Sequence, residues 1–366
     1  SEMCIRDRYK LSLSGDIRYS NDYLKLTKDH PYGSPKGEIT DYRSMMQNYL
    51  IDNTLTYTKQ IKDFNFTALG GYSMQEINTD ASSIVGKDFP SSQFDYINAA
   101  GRINSASTTG GKNRLISTFF RLNMGYADRY LFTFSIRADG SSKFADGNQW
   151  GTFPSVSGAW RISNESFFPK DGIISDLKLR ASWGKLGNDK IAASAGFASI
   201  QNVQSVFGPN TAIDGFINTT NFSWLGWEVV NETNVGVNFS TLKNRLNADI
   251  DWYYRLTDNA VISPKLPMSG ELLAGNNGQI LNTGIDLSLN WNDKIGQDFN
   301  YNIGVNLSYL HNEVKSLKGN MKIIKGGKTV NMVGETMNSF YGYKVIGIYQ
   351  TPEQCAADPI AVANGL

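Results

Sequence analysis

Apolar and polar residues alternate one by one along most of this chain. Tyr9, Leu11, Leu13, Ile17 and Tyr19 share one side of an extended segment, and Lys10, Ser12, Ser14, Asp16 and Arg18 share the other. Successive side chains of a strand point to opposite faces, so the pattern predicts a strand with one greasy and one polar face. Further strands are expected near Gln47–Thr58, at Phe64–Met74 and at Leu115–Tyr126. The stretch from Asp128 to Arg161 reads as a hairpin. In it Phe132, Phe134 and Ile136 oppose Thr133, Ser135 and Arg137, and a turn over Asp139–Ser142 precedes a strand from Gly151 to Ile162. The period returns at Leu177–Trp183, Val235–Phe239, Leu246–Trp252, Ile285–Trp291 and Ile303–Tyr309, with a weaker candidate at Tyr341–Tyr349.

About twelve strands result, and no stretch carries the helical period. Their connections alternate. Short turns are expected at Gln60–Asp63, Ala127–Asp128, Leu242–Arg245 and Asn292–Asp298, with a longer one at Asn164–Ser175. Long loops are expected over 21–45, 78–113, 140–150, 186–229, 257–278 and 312–338. Antiparallel strands of ~10 residues, with short turns at one end and long loops at the other, are the pattern of a transmembrane β-barrel. A soluble β-sandwich or lectin-like domain also alternates, and it is the competing architecture. The polar face decides between them. It is mostly Asn, Ser, Gly and Thr, and aromatics gather near strand ends at Tyr9, Tyr19, Tyr57, Trp160, Trp183, Trp252, Tyr254, Trp291 and Tyr301, as in membrane-interface girdles.

Composition agrees. Of 366 residues only 19% are charged and 12% are aromatic, against ~25% charged in an average soluble domain. The net charge of +1 gives no global field for nucleic acid. No run of ~18 apolar residues offers a transmembrane helix, which leaves a barrel open. Cys4 and Cys355 form no disulfide framework and read as two thiols. Residues 1–8 do not join the alternation and read as a non-native leader, 9–350 as barrel, and 351–366 as a loop or truncated end.

The motifs resemble the barrel of SusC/RagA-type TonB-dependent outer-membrane receptors of Bacteroidetes. Asp128-Arg-Tyr-Leu, Arg137-Ala-Asp-Gly-Ser-Ser-Lys-Phe and Trp150-Gly-Thr-Phe-Pro-Ser-Val-Ser carry the resemblance. So do Ser175-Asp-Leu-Lys-Leu-Arg-Ala-Ser-Trp-Gly, Gly187-Asn188, Trp227-Glu228, Asn244-Arg-Leu, Asp251-Trp-Tyr-Tyr, Leu266-Pro, Asn282-Thr-Gly and Asn312-Glu-Val. It implies part of a plugged barrel of about 22 strands in the cell outer membrane. It also implies an importer of oligosaccharides or peptides, energised through TonB and capped by a SusD-like surface lipoprotein. Nothing resembles the family's plug or TonB box. The sheet is therefore expected to be an open trough, its first strand near Tyr9 and its last near Tyr349 unpaired. A siderophore or cobalamin receptor is the alternative within this architecture, and a surface adhesin or carbohydrate-binding module is the alternative outside it.

Catalytic chemistry finds no constellation here. His30 and His311 lie far apart in the sequence without the spacing of a metal-ligand pair, and Gly326-Gly-Lys-Thr lacks the earlier glycine and the following helix of a phosphate loop. Asp139-Gly-Ser-Ser and Asp146-Gly-Asn are oxygen-rich enough for Ca²⁺ but are equally the chemistry of a tight loop. No enzyme activity, cofactor or metal is expected. Within a barrel, Arg18, Arg121, Arg137, Lys178, Arg180, Asp249, Asp251 and Asp286 belong in the lumen, because a lipid-facing charge at midplane costs ~2–4 kcal/mol. The loop aromatics Phe94, Tyr96, Phe207, Phe216, Phe222 and Trp224 are the candidates for stacking on substrate.

Overall fold

The computed structural model describes all residues except 1–6, 29, 32–34, 170–171, 192–198, 207–211, 220–223, 263–274, 297, 319–322, 326–327, 346 and 360–366. For 199–206, 212–219 and 323–325 only the backbone is described. Eleven strands form one antiparallel sheet. They are β1 (Asp7–Leu26), β2 (Glu38–Ile61), β3 (Phe64–Lys87), β4 (Arg102–Tyr126), β5 (Tyr130–Ser141), β6 (Trp150–Arg161), β7 (Ile174–Asn188), β10 (Glu228–Thr241), β11 (Leu246–Ile262), β12 (Gly275–Ile295) and β13 (Phe299–Leu317). A hairpin of β8 (Ser199–Val206) and β9 (Ala212–Thr219) lies between β7 and β10. β14 (Ile323–Lys325), β15 (Thr329–Asn331) and β16 (Ser339–Phe340) make a small separate sheet, and α1 spans Pro352–Ala356.

The sheet runs in chain order and does not close, with β1 and β13 at its edges. Among the described residues eleven of the about twelve expected strands join this sheet, and those of 341–349 form no strand. β1 starts at Asp7, which pairs with Tyr57, so the pairing includes two residues expected to stand outside it.

Directly opposed residues of an antiparallel pair share a face. Row by row, Val237, Ile250, Leu287 and Leu307 line up across four strands, as do Phe134, Leu122 and Ala68 across three others. Along the strand middles this face is uncovered among the described residues: Leu13 is 70% exposed, Ile17 61% and Leu307 58%. A sandwich would bury these side chains against a second sheet, and here they stand ready for lipid. On β13 the apolar face runs from Phe299 to Tyr309. At ~3.3 Å per residue and a tilt of ~40° that is a band about 25 Å tall, the height of a membrane barrel's outer band.

The strands are longer than the expected ten residues. β4 has 25 residues, about 80 Å of chain, and β2 and β3 have 24 each. Most of the expected loop over 78–113 is consequently strand, since Thr79 pairs with Gly111 and Val85 with Ser105. Short turns join the other end at Lys62–Asp63 and at 242–245. There Leu242, Lys243 and Asn244 all have positive φ, of 55°, 59° and 64°.

A row of rings marks that short-turn end. Phe64, Tyr126, Tyr130 and Trp160 follow one another across β3 to β6 with centroid spacings of 4.4, 6.4 and 6.4 Å. The polar heads of two of them meet Glu165, whose Oε1 accepts from the Tyr130 hydroxyl at 2.7 Å and from the Trp160 indole at 2.9 Å.

Candidate functional site

The second face of the sheet is a wall of short polar side chains. Ser73 donates to Asp52, Gln75 to Asn48, Thr133 to Asn123, and Ser135 meets Ser155 at 2.6 Å, each bond linking neighbouring strands. All the charges expected in the lumen stand on this face by register. The structure gathers only some of them. Arg180 Nη2 reaches Asp251 Oδ2 at 2.9 Å, passing over β10 at Gly236. A Cβ at Gly236 would lie 2.3 Å from Asp251 Oδ1 and 2.9 Å from Arg180 Nη2, so glycine there is what makes the bridge possible. Asp286 stands directly across from Asp251, and the Arg180 bridge offsets that like-charge contact. Asp249 and Lys178 occupy the next row with Asn238. Arg161 Nε, Arg180 Nε, Asn238 Oδ1 and Asp251 Oδ1 are buried there without a protein partner among the described residues.

Arg137 belongs to a different group. It donates to Asp139 at 2.6 Å and to Ser117 at 2.8 Å, and lies 5.7 Å over the Phe119 ring. Arg121 lines the same hollow as Arg137, whereas Arg18 is remote and meets Asp16 at 3.7 Å.

The long-loop rim carries a feature that the alternation does not reveal. β6 and β7 pair only from Ser155/Gly184 to Arg161/Lys178. Beyond that, β6 continues with β5 alone, as far as Trp150, and β7 with β10 alone, as far as Asn188. The sheet forks, and Phe153 fills the fork. Its ring lies so close to Gly187 that a Cβ there would be 2.0 Å away. Trp227 packs on it at 5.3 Å and on Phe144 at 5.2 Å, and donates its indole N–H to Gln149 O at 3.0 Å. Phe144 and Leu225 are completely buried.

The Asp139–Phe144 motif secures this core. Ser141 and Lys143 both bond Asp189, and Ser142 brackets Arg114 through backbone and hydroxyl. Asp139 in turn accepts from Arg137 at 2.6 Å. Glu228, at the start of β10, is pushed above the usual carboxylate range by burial, with the Asn188 amide opposing the shift. At the opposite end, the Tyr130 and Trp160 hydrogen bonds hold Glu165 below it.

Among the loop aromatics, Phe94 and Tyr96 lie between β3 and β4, exposed, and Trp224 lies at the fork. Phe207 and Phe222 fall outside the described residues, and Phe216 is described by backbone only. Most of the fork residues, Phe144, Trp150, Phe153, Gly187 and Trp227, stand in the motifs quoted above, and Gly151 and Gly187 add the sign that a strand glycine marks close approach.

The family model "TonB dependent receptor-like, beta-barrel" matches residues 5–349. The chain belongs to the TonB-dependent receptor barrel family. The receptor SusC of Bacteroides thetaiotaomicron is 31% identical over 330 residues, which is 85% of this chain and 32% of that protein. TonB-dependent receptor P39 of Formosa agariphila is 32% identical over 318 residues, 84% of this chain and 30% of that protein. This barrel wall therefore spans about a third of the length of the curated relatives it matches. Among solved structures, the RagAB peptide transporter superposes with a TM-score of 0.80 at 27% identity, covering 91% of this chain and 38% of that one. The ferric citrate transporter FecA, at 10% identity and a TM-score of 0.50, shares the fold alone. As a TonB-dependent receptor wall of the SusC and RagA kind, the chain resides in the outer membrane.

Proposed function

We propose that this chain forms part of the wall of an importer that carries oligosaccharides or peptides across the outer membrane. The observation that carries the reading is the likeness, over 91% of the chain, to the RagAB peptide transporter, joined to 31% identity with SusC. The siderophore receptor PiuA of Acinetobacter baumannii is 14% identical with a TM-score of 0.50 and shares the fold without arguing for iron.

In this reading the polar face is the lumen wall, and Arg18, Arg121, Arg137, Lys178, Arg180, Asp249, Asp251 and Asp286 face water, substrate or the plug of the full receptor. Ladders of Ser, Thr and Asn offer many weak hydrogen bonds, which let a polar solute exchange partners without being trapped. Phe94, Tyr96 and Trp224 contribute contact surface at the mouth. A SusD-like lipoprotein caps the long-loop end, TonB supplies the energy, and no bond of the substrate is made or broken.

Uptake of labelled oligosaccharides and peptides by cells with and without the receptor tests this. Uptake is expected to need the receptor, TonB and a surface lipoprotein. Loss of growth on a ferric siderophore, with glycan and peptide uptake unchanged, would replace the proposal by the iron-receptor alternative.

A further inference from the structure

The fork in the sheet also encloses space. Trp150, Lys185, Trp224 and Trp227 surround a cavity of about 440 Å³, within the ~300–1,000 Å³ typical of small-ligand sites. Lys185 lies two residues beyond Trp183 on the same side of β7, and Trp150 shares the side of Phe132 and Ile136. The cavity thus opens on the outward side of the wall, at the long-loop end and above the apolar band.

Its walls are held in place. Trp227 is wedged between Phe144 and Phe153 and bonded to Gln149. The six-membered ring of Trp150 lies over Gly140, where a Cβ would come within 3.0 Å. Asn276 fixes the adjoining backbone by bonding both polar groups of Gly226 and the carbonyl of Asn259. Even so, Trp150 and Trp224 keep 62% and 52% of their surface exposed. Lys185 is half-buried and has no acidic partner among the described residues. It also borders the hollow of about 420 Å³ that holds Arg121 and Arg137, whose lining acid, Glu232, is already paired with Arg255 at 2.9 Å.

Fixed indole faces suit the apolar face of a pyranose ring, and the Asn148 amide and Thr152 hydroxyl beside them suit sugar hydroxyls. A half-buried ammonium calls for an anion. We propose that this cavity binds an acidic saccharide, its ring stacked on Trp150 and its carboxylate or sulfate held by Lys185. Two sources share this chemistry: a soluble acidic glycan, and the sugar headgroup of an outer-leaflet glycolipid, which the outward opening would admit. The proposal rests on the membrane-wall reading but not on the identity of the imported solute.

The full receptor in detergent is titrated calorimetrically with a short oligogalacturonate, with the neutral galacto-oligosaccharide of equal length, and with lipopolysaccharide. Oligogalacturonate or lipopolysaccharide is expected to bind, and whichever binds identifies the source. Trp150→Ala is expected to weaken binding by about 10-fold or more. Lys185→Gln, which breaks no ion pair among the described residues, is expected to cut the preference for the acidic over the neutral sugar by about 5-fold to 10-fold. Equal affinities for acidic and neutral sugars, or affinities unchanged in both variants, would overturn the assignment. Uptake in the same variants keeps the two ideas apart. Import that no longer needs TonB would sink the importer reading while leaving this binding result intact.

Discussion

The wall is built in two ways. In β2–β4 the backbone ladder runs unbroken for more than twenty residues. On β4 the upper half is mostly small and polar on both faces, as in Ser105-Ala-Ser-Thr-Thr-Gly-Gly. At β6–β7 the ladder stops after Ser155/Gly184 and a compact core of Phe144, Phe153, Leu225 and Trp227 replaces it. The difference shows where rim stability comes from. Paired backbone needs no particular side chains, whereas a split sheet depends on a few specific ones.

The largest expected effect follows from that contrast. Phe144→Ala removes a fully buried ring and is expected to cost ~3–5 kcal/mol, while Thr108→Ala on exposed β4 should stay within ~0.5 kcal/mol. Urea unfolding of the full receptor in micelles measures both. Similar values for the two variants would mean that the fork is not held by its core.

Acid should separate the two ends of the wall in opposite senses. Glu165 has a lowered folded-state value, so its contribution is complete above the ordinary glutamate value of ~4.3 and is lost as pH falls through the lowered one. Glu228 has a raised value, so its contribution is complete below ~4.3 and is lost as pH rises through the raised one. Glu165→Gln is expected to flatten the acid limb of the thermal-stability profile, and Glu228→Gln the limb above it. Identical profiles for the two variants would remove the distinction.

The smallest effect concerns the short-turn end. Leu242 adopts φ 55°, a region that costs a side chain ~1–2 kcal/mol. Leu242→Gly should therefore raise the unfolding midpoint slightly, by up to ~1 kcal/mol, because glycine's greater chain entropy offsets part of the relief. A lowered midpoint would show that the exposed leucine contributes contacts of its own.

The membrane-spanning part of this fold was readable from the sequence because lipid on one side and water on the other impose a strict period of two. At Leu246–Trp252 and Ile285–Trp291 that period is complete, and the structure pairs these segments in register. Above the bilayer both faces meet water, the constraint vanishes, and residues 102–113 show no period although they are strand. Tyr341–Tyr349 erred the other way, since apolar alternation does not by itself supply a pairing partner. The charges of the polar face were assignable to a side from parity alone. Which of them meet was not, because Arg180 finds Asp251 across an intervening strand. The fork was invisible because nothing local to Phe153 says that Gly187, on a strand reached only after a long turn, will receive its ring.

The row from Phe64 to Trp160 makes depth in the bilayer a shared property. Four strands present their rings in one line, and two of the rings are tied to the same carboxylate. One strand cannot slide along its axis without unstacking its neighbours, so the row acts as a common waterline. A thinner or thicker bilayer would be met by tilting this part of the wall as a unit, leaving the register between its strands unchanged.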